Sequence, residues 1–438
     1  MEKSELISSK PILPLLLRLA APNMLGNIIQ ASLSFIEAWR LGFLGAGALA
    51  AVALVFPLYM LSMMWSAGAI GGAVAGAAAR AHGAGDRAAG EAVLRSAVVI
   101  AVFGGVLMGG AVFLGAAPLI SILGGSGQVH GDAVSYGRTL FAGIILFWLF
   151  NLIASVCRGT GDMRTPFFAI IVMALVYGFA SGPLIDTFGI RGSAFGLLLG
   201  FGAALIVVTG AILLGRTPVR FALGAVPLKV IFPILRNGLV AASQSIATIA
   251  AAMIVTGYMA QFGATALAGY GIGVRLELLL IPIIFGFGGA AIAVTGANVG
   301  AGQRQRAVRA GWLAAGLATA TLTLIGAVVA FWPEIWRGWF STDAAVIQVT
   351  DQYLQFVGPF YGFFGLGLCL YFSSQGLNSL FWPVFGNFLR LGVVAAGIAL
   401  LPWFGAASLY GLLWVVVAGM VVYGVAVALG LKLFAWRL

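Results

Sequence analysis

Charged residues are scarce in this 438-residue chain: they make up 8% of it, whereas hydrophobic residues make up 62%. A water-soluble domain carries roughly 25% charged residues, so this composition excludes an ordinary soluble globule. Each membrane-spanning helix needs about 20 mostly apolar residues, and this length accommodates about twelve of them. The composition therefore predicts an all-α, polytopic membrane protein.

Residues that ligate metals or act in catalysis are also rare. The chain has 2 cysteines and 2 histidines, and both His82 and His130 lie in predicted loops. Cys157 and Cys369 stand at or near predicted helix ends in opposite halves, which argues against a structural disulfide. No cysteine, histidine and carboxylate cluster has metal-ligand spacing, and no nucleophile can be combined with a base and an orienting group. The sequence therefore predicts no cofactor, no metal site and no enzymatic activity.

Apolar runs separated by charged or glycine- and proline-rich breaks predict twelve transmembrane helices. In the first half they are 12–38, 48–78, 93–117, 136–157, 167–185 and 192–215. In the second half they are 237–262, 274–299, 311–332, 351–374, 384–403 and 410–433. The first run is too long for a signal peptide and lacks a cleavage site, so we expect it to stay in the membrane.

Most basic residues fall on one side of these spans, although the formal net charge of +11 could also suggest an anionic partner. The other side receives only Arg40, Arg138, Arg191, Arg275 and Arg337, with Arg390 ambiguous. The positive-inside rule then predicts that both termini and the connection 216–236 are cytoplasmic. Basic residues do not alternate with aromatics on a solvated face, so no nucleic-acid partner is expected.

An internal repeat divides the chain into two halves. Residues 45–51 recur as 263–269, residues 82–88 as 299–305, and residues 158–162 as 375–379, at an offset of about 217. Six helices per half is an even number, so both halves enter the membrane from the same side. We therefore expect two six-helix lobes, 1–225 and 226–438, related by a pseudo-twofold axis along the membrane normal with a cavity between them. Such lobes favour alternating access.

Three loops and their second-half counterparts carry the motifs Gly42-x-Leu44-Gly45, Gly83-Ala-Gly85 and Arg158-Gly-Thr-Gly-Asp-Met-Arg-Thr-Pro166. In order and spacing these motifs resemble those of the multidrug and toxic compound extrusion (MATE) family over nearly the whole chain. The resemblance implies a secondary antiporter of the bacterial inner membrane. It implies export of organic, often cationic and amphipathic compounds, driven by inward movement of protons or sodium ions.

Glu37 is the first candidate for cation coupling. A carboxylate within a membrane span costs at least a few kcal/mol, so it is read as functional by default. Glu37 stands eight residues before Gly45, the spacing at which the family carries a coupling aspartate. Arg40 lies three residues on, on the same helical face. The alternative is therefore a structural Glu37–Arg40 pair.

Asp186 is the second coupling candidate. The family often has an Asn and an Asp before a proline in the fifth helix, and alignment on Pro183 puts Gly178 and Gly182 at those positions. Asp186 lies about one turn further out, where it either forms a shifted site or faces Arg191 at the helix end. Because the first lobe offers so few hard oxygen ligands, the resemblance favours proton over sodium coupling.

Four polar residues at membrane depth are candidates for substrate binding. Glu277 follows Arg275 in helix eight and either faces the cavity, attracting cationic substrates, or anchors the outer helix end. Gln30, Asn151 and Gln244 are amides that can bond to substrate or join neighbouring helices. By the alignment, a family-type coupling carboxylate remains only in the first lobe.

A flippase of lipid-linked oligosaccharides shares this architecture and is the alternative function. It is expected to need a strongly cationic cavity for pyrophosphate, and Arg40, Arg138 and Arg275 lie near the outer helix ends. The expected partners are therefore a small organic substrate, the coupling proton or sodium ion, and membrane lipid. Two lobes complete a transport unit, so we expect a monomer.

Overall fold

Helices account for nearly all of the residues described by the computed structural model, which are 9–222, 224–403 and 405–437, and these contain no β-strand. In this part of the chain, eleven helices are long and apolar enough to span a membrane. A twelfth span is formed by two shorter helices that meet at a 46° bend. The predicted all-α polytopic fold with twelve spans is confirmed.

The membrane helices are numbered here in chain order. The first half contains α1 Ile12–Gly42, α2 Ala46–Gly83, α3 Arg87–Ile122, α4 Gly127–Ala142 with Ile144–Gly159, α5 Arg164–Phe188 and α6 Ile190–Leu213. The second half contains α7 Leu228–Phe262, α8 Ala264–Gly300, α9 Arg304–Phe331, α10 Ala344–Leu377, α11 Phe381–Leu400 and α12 Leu409–Ala435. A short helix, Glu334–Arg337, lies between α9 and α10.

Several helices begin earlier than hydropathy predicts. Helix α3 begins at Arg87 and α10 at Ala344, six and seven residues before their predicted apolar starts. Each is capped by an aspartate: Asp86 accepts a hydrogen bond from the Ala89 amide at 2.9 Å, and Asp343 accepts one from the Ala345 amide at 2.9 Å. Capping stabilises a polar first turn outside the hydrocarbon, which a search for apolar runs does not detect.

The repeat is visible in the backbone of four pairs of turns. In each pair the two residues have positive φ and stand 216–218 positions apart; the pairs are Gly45 and Gly263, Gly85 and Gly302, Gly161 and Asn378, and Gly189 and Gly405. Left-handed backbone is readily adopted only by glycine and, less so, asparagine. The two halves therefore turn in the same way at equivalent points, as the pseudo-twofold axis requires.

Helix α2 differs from its counterpart α8 by one inserted residue. It contains a π-helical turn, Met64–Ala69, and such a turn adds a single residue to an α-helix. Helix α2 accordingly has 38 residues and α8 has 37. Positions before the π-turn are therefore equivalent at an offset of 218 and positions after it at 217.

The halves are joined at one face of the bundle, which we call the terminal face because both ends of the described chain reach it. There Arg80 of α2 donates hydrogen bonds to the carbonyl oxygens of Gln375 and Gly376 at 3.1 and 3.0 Å. In the opposite direction, Gln375 Nε2 donates a hydrogen bond to the Gly68 carbonyl oxygen at 3.1 Å. A Cβ on Gly83 would collide with the Ala297 backbone, so the helices touch directly.

The described hydrogen bonds between the halves are confined to one side of the bundle. Among the described residues, every hydrogen bond between the halves joins helix segments that lie toward the terminal face. The bonds farthest from that face are those of Gly68 and of Asn23, whose Nδ2 donates to the Phe285 carbonyl at 2.9 Å. Buried apolar side chains form two clusters, one mainly from α1–α6 and one mainly from α7–α12. The second also takes in the start of α1, including Leu15, Leu16 and Leu19.

Candidate functional site

Glu37 lies inside the first half, on the buried face of α1. Its side chain is 8% exposed. The Tyr136 hydroxyl of α4 donates a hydrogen bond to Glu37 Oε1 at 2.7 Å, and the Ser193 hydroxyl of α6 donates to the same oxygen at 2.5 Å. Both described bonds reach Oε1, and Oε2 accepts none in the described part of the chain.

Hydroxyl groups surround this carboxyl from neighbouring helices. The Tyr177 hydroxyl of α5 lies 3.2 Å from Ser193 Oγ, and Ser181 Oγ donates to the Tyr177 carbonyl at 2.6 Å. The hydroxyl of Tyr59 on α2 lies within electrostatic range of Glu37. Five helices of the first half thus converge on one carboxyl group.

Arg40 turns away from Glu37. Its Nη2 donates to the carbonyl oxygen of Gly178 on α5. No ion pair joins it to Glu37 in the described part of the chain, so the structural pair considered from sequence is not what the fold builds.

The guanidinium of Arg40 also accounts for one of the two polar residues missing from α5, the one expected at Gly182. A Cβ on Gly182 would collide with Arg40 Nη1, whereas a Cβ on Gly178 would meet nothing within 4 Å. Arg40 therefore occupies the space beside the position where the family resemblance expects an aspartate. A fixed cation stands there, and a second carboxylate is not available for a metal ion.

Glu277 lies inside the second half, thirteen residues after the start of α8. Tyr353 of α10 donates its hydroxyl hydrogen to Glu277 Oε1. The rings of Tyr353 and Tyr270 meet edge to face with centroids 5.4 Å apart. Arg275 packs its guanidinium 5.4 Å from the centroid of the Phe340 ring and is not paired with Glu277.

Arg390 of α11 is the basic residue that influences Glu277 electrostatically. It lies within electrostatic range of Glu277, yet among the described residues the two form no ion pair. The guanidinium lies 5.3 Å from the centroid of the Phe364 ring. Its Nε and Nη1 atoms are buried without a hydrogen-bond partner in the described chain. The Arg390 guanidinium therefore influences the Glu277 carboxyl without a direct ion pair between them.

The three predicted amides are buried in different settings. Asn151 Nδ2 donates to Ser66 Oγ at 3.0 Å and so joins α4 to the π-turn of α2. Gln244 Nε2 donates to the Tyr423 hydroxyl at 2.8 Å, which joins α7 to α12. Gln30 is 9% exposed, and its Nε2 has no hydrogen-bond partner among the described residues. Asn151 and Gln244 thus hold helices together, while Gln30 keeps a free donor two turns from Glu37.

Asp186 is exposed on α5 and takes part in no described hydrogen bond or ion pair. The Arg191 side chain, which could have faced it, instead donates from Nε to Thr139 Oγ1 at 3.2 Å. The structure therefore does not bring Asp186 to the Glu37 carboxyl.

Sequence reasoning missed the tyrosines that hold both carboxyls. Tyr136 and Tyr353 stand 217 residues apart, the offset already read from the loops. Applying that offset to polar residues inside the spans would have found them. Arg390 carries no such signal, because its counterpart at that offset, Met173, is apolar.

Comparison with known proteins places these features in a family. The model of the family described as MatE matches residues 22–184 and 240–401, once in each half. A probable multidrug resistance protein, NorM of Thermotoga maritima, is 24% identical to this chain over 402 residues. The match covers 88% of this chain and 84% of that protein. The FAD transporter of Shewanella oneidensis is 25% identical, covering 86% and 84%.

Coverage varies among the relatives. The probable multidrug resistance protein YoeA of Bacillus subtilis is 25% identical, and the match spans 57% of each protein, little more than half its length. A solved structure described as the outward-facing conformation of a multidrug resistance MATE family transporter superposes with a TM-score of 0.90 at 22% identity, covering 97% of this chain and 96% of the other. That likeness shows the shared fold.

Proposed function

The chain belongs to the MatE family of multi-pass membrane transporters, and we propose that it is a secondary antiporter that exports organic, cationic and amphipathic compounds in exchange for protons. One observation carries this proposal. Glu37 is a buried carboxyl without an ion-pair partner in the described chain, held between helices of a lobe that has to move. A charge in that position is costly, so binding and release of a proton is the chemistry it supports.

The proposed orientation follows from charge. The terminal face carries the turns with Arg87, Arg164, Arg216 and Arg304, and positive residues favour the cytoplasmic side. We therefore assign this face to the cytoplasm of a bacterial inner membrane, with both termini inside. The junction between the halves then closes the cytoplasmic side, and the opposite side opens outward.

Alternating access would proceed by rocking residues 1–225 against residues 226–438. The junction to be broken includes the Arg80 hydrogen bonds to Gln375 and Gly376. One chain contains both halves, so a monomer is a complete unit, and no step needs a catalytic residue.

Proton coupling is favoured over sodium coupling by the ligands around Glu37. Tyr136 and Ser193 both use their hydroxyl hydrogens toward the carboxyl. A hard metal ion prefers several carboxylate or carbonyl oxygens, and Arg40 already donates to the Gly178 carbonyl beside the site. The arrangement suits a proton better than a sodium ion. Asp186 is left out of the proposal because it is exposed.

Efflux of ethidium from proteoliposomes tests the proposal. An imposed pH gradient should drive it and an imposed sodium gradient should not. Glu37→Gln should abolish gradient-driven efflux, while the matched control Asp186→Asn should leave it unchanged. Normal efflux by Glu37→Gln would contradict the proposal, and sodium dependence without a pH response would overturn the choice of ion. If the protein does not transport ethidium but does transport lipid-linked sugars, the flippase is favoured.

A further inference from the structure

Two tyrosines related by the repeat make the same contact in both halves. Tyr136 of α4 donates to Glu37 Oε1, and Tyr353 of α10 donates to Glu277 Oε1. The tyrosines stand 217 residues apart, and both are nearly fully buried. Equivalent helices therefore present the same hydroxyl to a carboxyl group in each half.

The carboxyls themselves come from non-equivalent positions. Before the π-turn of α2 the repeat offset is 218, so the counterpart of Glu37 is Val255 and the counterpart of Glu277 is Tyr59. Tyr59 in turn lies within electrostatic range of Glu37. The first half thus has its acid on α1 facing a tyrosine on α2, whereas the second half has its acid on α8. An alignment of the two halves position by position therefore does not pair the two acids.

The surroundings of Glu277 favour an ion-carrying role over a structural one. Tyr353 is its only described hydrogen-bond donor, and the hydroxyls of Tyr361 and Tyr270 lie within electrostatic range. Arg390 acts on it from α11 without an ion pair. A carboxyl that anchors a helix end would be expected near that end, and Glu277 lies about 20 Å into α8.

We propose that Glu277 is a second coupling carboxyl, so that a full transport cycle carries two protons, one in each half. This inference rests on the proposed antiport function. When Glu277 on α8 is ionised, Arg390 on α11 attracts it, and a proton on Glu277 removes that attraction. Protonation thereby changes a force between helices of the second half.

Carbodiimide labelling tests the second site without a substrate. Dicyclohexylcarbodiimide reacts with protonated carboxyls in apolar surroundings, and peptide mass spectrometry locates the adduct. In proteoliposomes both Glu37 and Glu277 should be labelled, increasingly as pH falls, while Asp86 in its exposed turn should not. Labelling of Glu37 alone would overturn the second site and leave the proposed function standing. Labelling of neither would count against the proposed function as well.

Proton counting separates coupling from a structural or substrate-binding role. Export of one ethidium for two protons moves one net positive charge inward, so wild-type transport should respond to membrane voltage. Glu277→Gln should halve the protons moved per ethidium and become electroneutral, because Glu37, on which transport itself depends in the proposed function, is untouched. Glu277→Asp should restore two protons, which also shows that the site tolerates substitution. An unchanged proton count in Glu277→Gln, with only a lower rate or weaker ethidium binding, would refute the proposal.

Discussion

The two halves of this transporter repeat their backbone more faithfully than their charge. Turns with positive φ recur at the same positions, and a buried tyrosine hydroxyl recurs on α4 and α10. The acids do not recur: one half places Glu37 on α1, and the other places Glu277 on α8. The comparison teaches that a duplicated scaffold can keep a buried tyrosine hydroxyl while the carboxyl it bonds to comes from a different helix.

The basic partners differ as well. Arg40 is fixed by the Gly178 carbonyl and fills the space beside Gly182. Arg390 lies against the Phe364 ring and keeps buried nitrogens without a described partner. The first half therefore isolates its carboxyl from its arginine, whereas the second half leaves the two groups in mutual range.

Removing the tyrosine hydroxyls that recur in the two halves should have the largest effect, and it should differ between the halves. A hydrogen bond to a charged group contributes about 1.5–3 kcal/mol. Glu37 keeps Ser193 as a second donor, but Glu277 has only Tyr353 among the described residues. Tyr353→Phe should therefore slow pH-driven ethidium efflux by about tenfold, and Tyr136→Phe by less. Equal effects, or a larger effect at Tyr136, would show that the two sites are held differently from this account.

A matched pair of glycines tests the arginine of the first half. Gly182→Ala forces the Arg40 guanidinium away from the Gly178 carbonyl and should cost about 1.5–3 kcal/mol of unfolding free energy through the lost hydrogen bond. Gly178→Ala meets open space and should be neutral or slightly stabilising. Thermal unfolding in detergent measures both. The loss should largely disappear when Gly182→Ala is combined with Arg40→Ala; persistence of the full loss would assign it to another contact.

The turns provide the smallest effect and a test of backbone equivalence. Gly85 and Gly302 have φ of +70° and +74°, and a Cβ at either would meet nothing within 4 Å. Alanine at either position should therefore cost about 1 kcal/mol through backbone strain alone, and the two losses should be equal. Thermal unfolding of the two variants would show a difference if the loops were not equivalent.

Sequence reasoning reached the fold because lipid imposes a strong pattern. Twelve apolar runs, the basic face and the glycine turns are local features, so the spans and the repeat could be predicted. Helix starts such as Arg87 could not, because capped polar turns lie outside the apolar runs. Glu37 was found through its cost in a membrane, but its partners Tyr136 and Ser193 come from distant helices. Gly182 is visible in the sequence, but only the packed structure shows that the Arg40 guanidinium occupies the space beside it.

The central claim is that ethidium and proton movements are coupled through the buried carboxyl of Glu37, and the reciprocal experiment tests it most directly. Proteoliposomes with a pH-sensitive dye inside receive an ethidium gradient without any pH gradient. In wild type and in Asp186→Asn, ethidium flow should drive protons the opposite way, while Glu37→Gln should give no pH change. Proton movement in Glu37→Gln equal to that of wild type would contradict the account.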